Sequence, residues 1–336
     1  MSHKKSIAKS ALKIFMTLGI SAACLYFAAR KIDIQKILID LKSLQVGYVA
    51  LAAAVSATAL SIRAFRWHQV VRREKQFPFS TTFWATAIGY LANNILPARA
   101  GEVIRSVILG LGSGIRKSLV LATALTERII DAGVLLLMAL VMLQFTDKFP
   151  ASIRDSWSLL LPVVIIVLLA VFLSPFIEGF LHKIPSVLPA NAGIREKLRA
   201  LISGMLDGVR VFHNIRLLMV FLFASVLIWF IDASVFMLLA LSLGSDLTVP
   251  QAIIFAAAIG FASSIPSTPG FVGVFQAVAV LLLPIFGIAA DRAFLLVSLM
   301  QLMGLTVTGI LGGIGWVVMQ RRIGAARLEQ ELAEAE

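Results

Sequence analysis

Apolar residues along this chain gather in long runs rather than stripes. Runs at 11–29, 46–65, 118–145, 158–177, 217–243 and 292–319 have about the 20-residue length that crosses a bilayer. They predict about six full transmembrane helices, the first a retained signal anchor. Two further apolar regions, 81–115 and 250–287, are interrupted near their middles, at Pro97 to Gly101 and at "SSIPSTPGFVG", Ser263 to Gly273. Proline removes a backbone donor and clashes with the preceding turn, and glycine accepts the backbone angles of a turn. Each region therefore predicts a broken or re-entrant hairpin that leaves on the side it entered. The pattern describes an all-α polytopic membrane protein, with a transmembrane domain over 1–319 and a charged cytoplasmic tail over 320–336. Ile194, Leu198, Leu201, Met205, Val209 and Phe212 share one face at helical spacing, which predicts a helix over 191–214 lying in the headgroup layer.

Composition agrees with the pattern. The 336 residues are 59% hydrophobic and 14% charged, against roughly a quarter charged in soluble proteins. The net charge of +12 has a membrane explanation, because basic residues concentrate on cytoplasmic loops; no nucleic-acid partner is expected. With the N-terminus inside and both broken regions treated as hairpins, 22 lysines and arginines fall on the cytoplasmic side and 7 outside. The expectation is a multi-pass protein of the cytoplasmic membrane with both termini in the cytoplasm. The single cysteine, Cys24, excludes an intramolecular disulfide framework. No phosphate-cradling loop, dinucleotide fingerprint or zinc spacing appears, so neither cofactor nor metal is expected.

The two interrupted regions resemble each other. The first reads "AIGYLANNILPARAGEVI" from Ala87, the second "AIGFASSIPSTPGFVGVF" from Ala258. Both open on Ala-Ile-Gly-aromatic, carry paired small polar residues, and continue to Pro-x-x-x-Gly. The charge count opens the first hairpin to the cytoplasm and the second to the outside. Together these features predict an inverted repeat, the organisation of many secondary transporters, whose sites lie where broken helices meet.

The breaks also carry candidate chemistry. A helix starting near Pro97 to Gly101 would present free N–H groups, and helix N-termini bind anions. Arg105, then Arg99, are the expected contacts to an anionic headgroup. In the span 118–145, "TERIIDAG" places Glu127, Arg128 and Asp131 where each central charge costs roughly 2.5–3.5 kcal/mol on insertion scales. Glu127 and Asp131 share a face, and Arg128 is placed to pair with Asp131. The cluster is read either as a structural lock or as a coupling site. Asp232, a lone acid in the span 217–243, is expected to pair with Arg128 or Arg105. Arg63, Arg66 and Trp67 read as anchors at the cytoplasmic interface.

At these residues the chain resembles the lysylphosphatidylglycerol synthase transmembrane-region family of flippase-like proteins. The motifs are "NNILPARAGEVIR", "TERIIDAG" and "PSTPGFVGVFQ", and the resemblance covers nearly the whole chain. It implies a substrate site at Asn94, Pro97, Gly101, Glu102 and Arg105, with Pro269, Gly270, Gly273 and Gln276 from the second break. It implies a second motif at Glu127, Arg128 and Asp131. The chain departs from the pattern at Phe271, where the family tends to have glycine, and at Gln276, where it tends to have glutamate. The resemblance implies translocation of an anionic lipid or a polyprenyl-phosphate-linked lipid, with membrane lipids as partners and lipid-biosynthesis enzymes or a second copy as further candidates. Two alternatives stay open: an intramembrane lipid-modifying enzyme using Glu127 and Asp131 as acid and base, and a non-transporting membrane scaffold.

Overall fold

The structure, a computed structural model, describes residues 2–96, 100–173, 196, 214–265 and 267–335. Pro97, Arg99 and nearly all of the expected surface helix at 191–214 lie outside them. Every regular element among the described residues is helical. These are α1 (Ser2–Ala29), α2 (Ile34–Lys42), α3 (Val46–Val71), α4 (Phe79–Ile95), α5 (Gly101–Ser113) and α6 (Lys117–Met142). They continue with α7 (Ala151–Ser158), α8 (Leu160–Leu173), α9 (Ile215–Ser242), α10 (Val249–Ala262), α11 (Val274–Leu282) and α12 (Ala290–Ala335). Among the described residues, four stretches are long and apolar enough to cross a membrane: Val46–Val71, Ile215–Ser242, Pro269–Phe286 and Ala290–Gly324.

Both interruptions fall where proline and glycine put them. α4 ends at Ile95 and α5 begins at Gly101. α10 ends at Ala262, and a short 3₁₀ turn at Pro269–Phe271 precedes α11. Two elements differ from expectation. α2 is an additional short helix, opened by the Asp33 carboxylate, which accepts from the Gln35 N–H at 2.9 Å. Its Ile34, Leu38, Ile39 and Leu41 are exposed. α12 does not stop near residue 319 but continues through the tail, whose Ala, Leu, Glu and Gln residues are strong helix formers.

Small residues let the helices touch. A Cβ on Gly101 would stand 2.0 Å from the Gly89 carbonyl oxygen, so α5 lies directly on α4. On α12, a Cβ at Gly312 would stand 3.0 Å from the Ala87 carbonyl oxygen, which seats α12 against the same helix. Close backbone approach of this kind is how helices associate when lipid offers no hydrophobic drive. A large apolar core joins α6, α9, α10, α11 and α12 around Phe221, Leu239, Phe255, Leu283 and Leu296. A smaller one packs Trp67, Leu109, Val120 and Ala124. Phe223, Leu302 and Ile310 face outward from the long helices, 59–71% exposed. Such large bare apolar side chains suit lipid contact, not water.

Candidate functional site

Four arginines and four carboxylates meet inside the bundle. Arg63 and Arg66 are one turn apart on α3; Glu127 and Asp131 are one turn apart on α6. Arg66 is 1% exposed and donates to Asp131 Oδ1 at 2.5 Å and Oδ2 at 2.7 Å. It also donates to Glu127 Oε1 at 2.6 Å and to Ser225 Oγ at 2.6 Å. Arg105 pairs with Glu102 at 2.7 Å and Glu127 at 3.3 Å. Arg128 donates to Glu102 at 2.9 Å and to the Tyr90 hydroxyl at 3.1 Å. Arg63 pairs with Asp232. Two aromatic faces complete the desolvated shell: Phe221 under Arg66 and Trp67 under Arg105, each 4.4 Å from guanidinium carbon to ring centroid. The set is charge-balanced, and that is the condition under which buried ions are tolerated.

These partners correct several expectations. Arg128 is three residues before Asp131, yet it reaches Glu102 on α5, while Asp131 is taken by Arg66. Asp232 pairs with Arg63 rather than Arg128 or Arg105. Arg66 and Trp67 are not interfacial anchors, because both are fully buried. Arg105 is 1% exposed, and Glu102 and Glu127 both reach its Nη2. Gly101 does not line a ligand path, since its Cα lies against α4. Its N–H is already taken by Asn93 Oδ1 at 2.9 Å. Gln276 is likewise internal. Its Oε1 accepts from the Gly273 N–H at 2.7 Å, and its Nε2 donates to Gln301 at 2.5 Å. At each described helix start, one backbone N–H is taken by an amide side chain of the chain itself. Gly273 is required by geometry: its φ is +88°, and a Cβ would stand 2.3 Å from the Ser21 carbonyl oxygen on α1.

The open space lies beside this network. A half-open cavity of about 300 Å³ is lined by α3, α4, α9, α10, α11, α12 and the second break. The C-terminal end of α4 meets the second break here: a Cβ on Gly270 would stand 3.7 Å from the Asn94 carbonyl oxygen. Asn94 donates to Thr308 Oγ1 at 2.9 Å, and Gln301 donates to the Gly270 carbonyl at 2.7 Å. Most of the wall is apolar, and its charged pair is Arg63 with Asp232. Of the expected site residues, Asn94 and Gly270 line the cavity, while Glu102, Arg105, Glu127, Arg128 and Asp131 form the network behind it. Pro269 sits in the turn between Thr268 and Gly270. Glu127 and Asp131 are not among the residues that line this cavity.

Sequence reasoning missed Arg63, Tyr90, Trp229 and Gln301 as cavity residues. The available signal was weak: single polar residues in otherwise apolar helices. Phe271, where the resemblance led one to expect glycine, also lines the cavity. Its φ is +59°, in the left-handed region that glycine occupies without steric cost. Its ring stacks on Phe275 with centroids 4.9 Å apart. Among the described residues, no three His, Cys, Asp or Glu side chains come together as a metal site requires.

The family model for the lysylphosphatidylglycerol synthase TM region matches residues 14–312. The chain belongs to that family. A UPF0104 membrane protein of Methanothermobacter thermautotrophicus is 24% identical over 249 residues, 71% of this chain and 74% of the relative. A UPF0104 membrane protein of Methanocaldococcus jannaschii is 26% identical over 237 residues, 69% of this chain and 95% of the relative. No solved structure matches. Family and relatives agree with the helical, lipid-facing architecture: this is a membrane protein.

Proposed function

We propose that this protein moves an anionic, phosphate-bearing lipid between the leaflets of the cytoplasmic membrane. The observation that carries the reading is the cavity where the end of α4 meets the second break, mostly apolar yet holding the Arg63–Asp232 pair. Ligand pockets combine apolar walls with a few placed polar groups in this way. Its volume suits a headgroup, while acyl chains would remain in lipid. Arg63 takes the role that sequence alone gave to Arg105, because Arg63 faces open space and Arg105 does not.

The wider architecture of this proposal is about six full spans and two broken or re-entrant hairpins in inverted halves, α4–α5 and α10–α11, with both termini cytoplasmic. The charge asymmetry and the paired motifs support it. With no nucleotide-binding loop in the sequence, movement runs downhill or on an ion gradient.

The test is reconstitution. Proteoliposomes holding fluorescent phosphatidylglycerol are compared with empty ones, and leaflet exchange is read by quenching the outer leaflet. The wild type should accelerate exchange of phosphatidylglycerol over phosphatidylcholine, and Arg63→Gln should lose that preference. Exchange equal to empty vesicles, or equal for both lipids, overturns the reading. Lipid recovered chemically altered would favour an enzyme instead.

A further inference from the structure

The eight-charge cluster is two units, not one. Arg66, Arg105 and Arg128 are joined to Glu102, Glu127 and Asp131 by a continuous chain of ion pairs. That unit is neutral by itself. Arg63 and Asp232 form a separate neutral pair, linked to the rest by no ion pair among the described residues. The separate pair is also the one on the cavity wall. Its side chains are 13% and 22% exposed, against 1% for Arg66 and Arg105. Asp232 can therefore leave Arg63 without unbalancing the charges behind it.

A second observation points to an acceptor ligand. Trp229 lines the cavity one turn before Asp232 on α9, and its buried indole N–H has no hydrogen-bond partner among the described residues. An unpaired buried donor is costly. Arg63 brings a guanidinium fork to the same wall, the geometry that suits phosphate.

We infer that Asp232 is an exchangeable counterion: the headgroup phosphate replaces it on Arg63, and Asp232 takes up a proton as the headgroup enters. This rests on the proposed anionic-lipid function. The bookkeeping is electroneutral. Before entry the cavity holds Arg63⁺ and Asp232⁻; afterwards it holds Arg63⁺, one phosphodiester⁻ and a neutral Asp232 carboxyl. An unprotonated Asp232 would face the phosphate as a like charge between largely apolar walls, which drives the proton on. Among the described residues, the other charged and titratable groups around the pair are Arg66 on α3 and Asp131 on α6 beside Asp232, and Tyr90 on α4 and Arg128 on α6 beside Arg63. α10 and the cavity-lining part of α12, residues 300–308, carry no charged residue. Arg66, Arg128 and Asp131 have their own partners, so the proton goes to Asp232. Headgroup and proton then occupy the cavity together.

The experiment is binding of short-chain phosphatidylglycerol to the purified full-length protein, from pH 5 to 8, against short-chain phosphatidylcholine. The phosphodiester stays ionised throughout. Wild-type affinity should tighten as pH falls, by up to about tenfold per pH unit where one proton is linked to one anion. Asp232→Asn removes the competing charge, so it should bind at least as tightly as wild type at low pH, with no pH slope. A flat wild-type profile overturns the inference and needs no variant, so it decides even if Asp232→Asn fails to fold. A slope retained in Asp232→Asn also overturns it. Selective but pH-independent binding would sink this inference alone, whereas no preference for phosphatidylglycerol at any pH would sink the proposed function too. Competition by glycerol phosphate at equal concentration would overturn the lipid assignment in favour of a soluble anion.

Discussion

Glu127→Gln tests whether the six-charge unit is a structural lock. Glu127 is 1% exposed and accepts from two arginines, at 2.6 Å from Arg66 and 3.3 Å from Arg105. The substitution keeps the volume but leaves the unit with one uncompensated positive charge. It also turns an amide N–H₂ toward a guanidinium on one side. Breaking a buried pair by removing one partner costs about 3–5 kcal/mol. At about 2 °C per kcal/mol for a chain of this size, the melting temperature should fall by about 6–10 °C. The assay is thermal unfolding of purified protein in detergent, followed by loss of the monodisperse peak. Pairing the change with Arg105→Gln restores neutrality, so the double variant should be more stable than the sum of the two singles, by about 1–3 kcal/mol. A melting temperature within 2 °C of wild type, by the same conversion under about 1 kcal/mol, would show that Glu127 is free to change charge. The cluster would then be a coupling site and not a lock.

Other consequences are equally direct. Gly101→Leu should prevent folding by forcing α5 off α4, where even a Cβ has no room. Gly309→Ala, which meets nothing within 4 Å, should change stability by about 1 kcal/mol or less, and monodisperse yield separates the two. Phe271→Val should destabilise, because a β-branched residue is poorly tolerated at positive φ, whereas Phe271→Gly should be accepted; equal melting temperatures would refute a left-handed backbone there. In a Cys24→Ser background, single cysteines near 36, 150, 246 and 289 should label from outside and one at 195 only from the cytoplasm. Labelling of 195 from outside would end the hairpin topology.

What could be known before any coordinates was local. Runs of apolar residues determined that the chain is helical and membrane-embedded, because in lipid each helix must satisfy its own backbone. Pro97, Gly101, Pro269 and Gly273 marked the breaks, because proline and glycine act on the backbone where they stand. The acids in "TERIIDAG" announced a cluster, because a charge inside an apolar run demands a partner. Which partner was a tertiary matter. Arg66 reaches Glu127 across 61 positions and Arg63 reaches Asp232 across 169. Any guanidinium could serve any carboxylate as far as sequence is concerned, so Arg128 looked paired with Asp131 and Arg105 looked open. Only packing decided that Gly89 and Gly101 press α5 against α4 and bury Arg105, and that α3 and α9 leave Arg63 and Asp232 facing a cavity. Burial depends on what the other helices cover, and no residue carries that information alone.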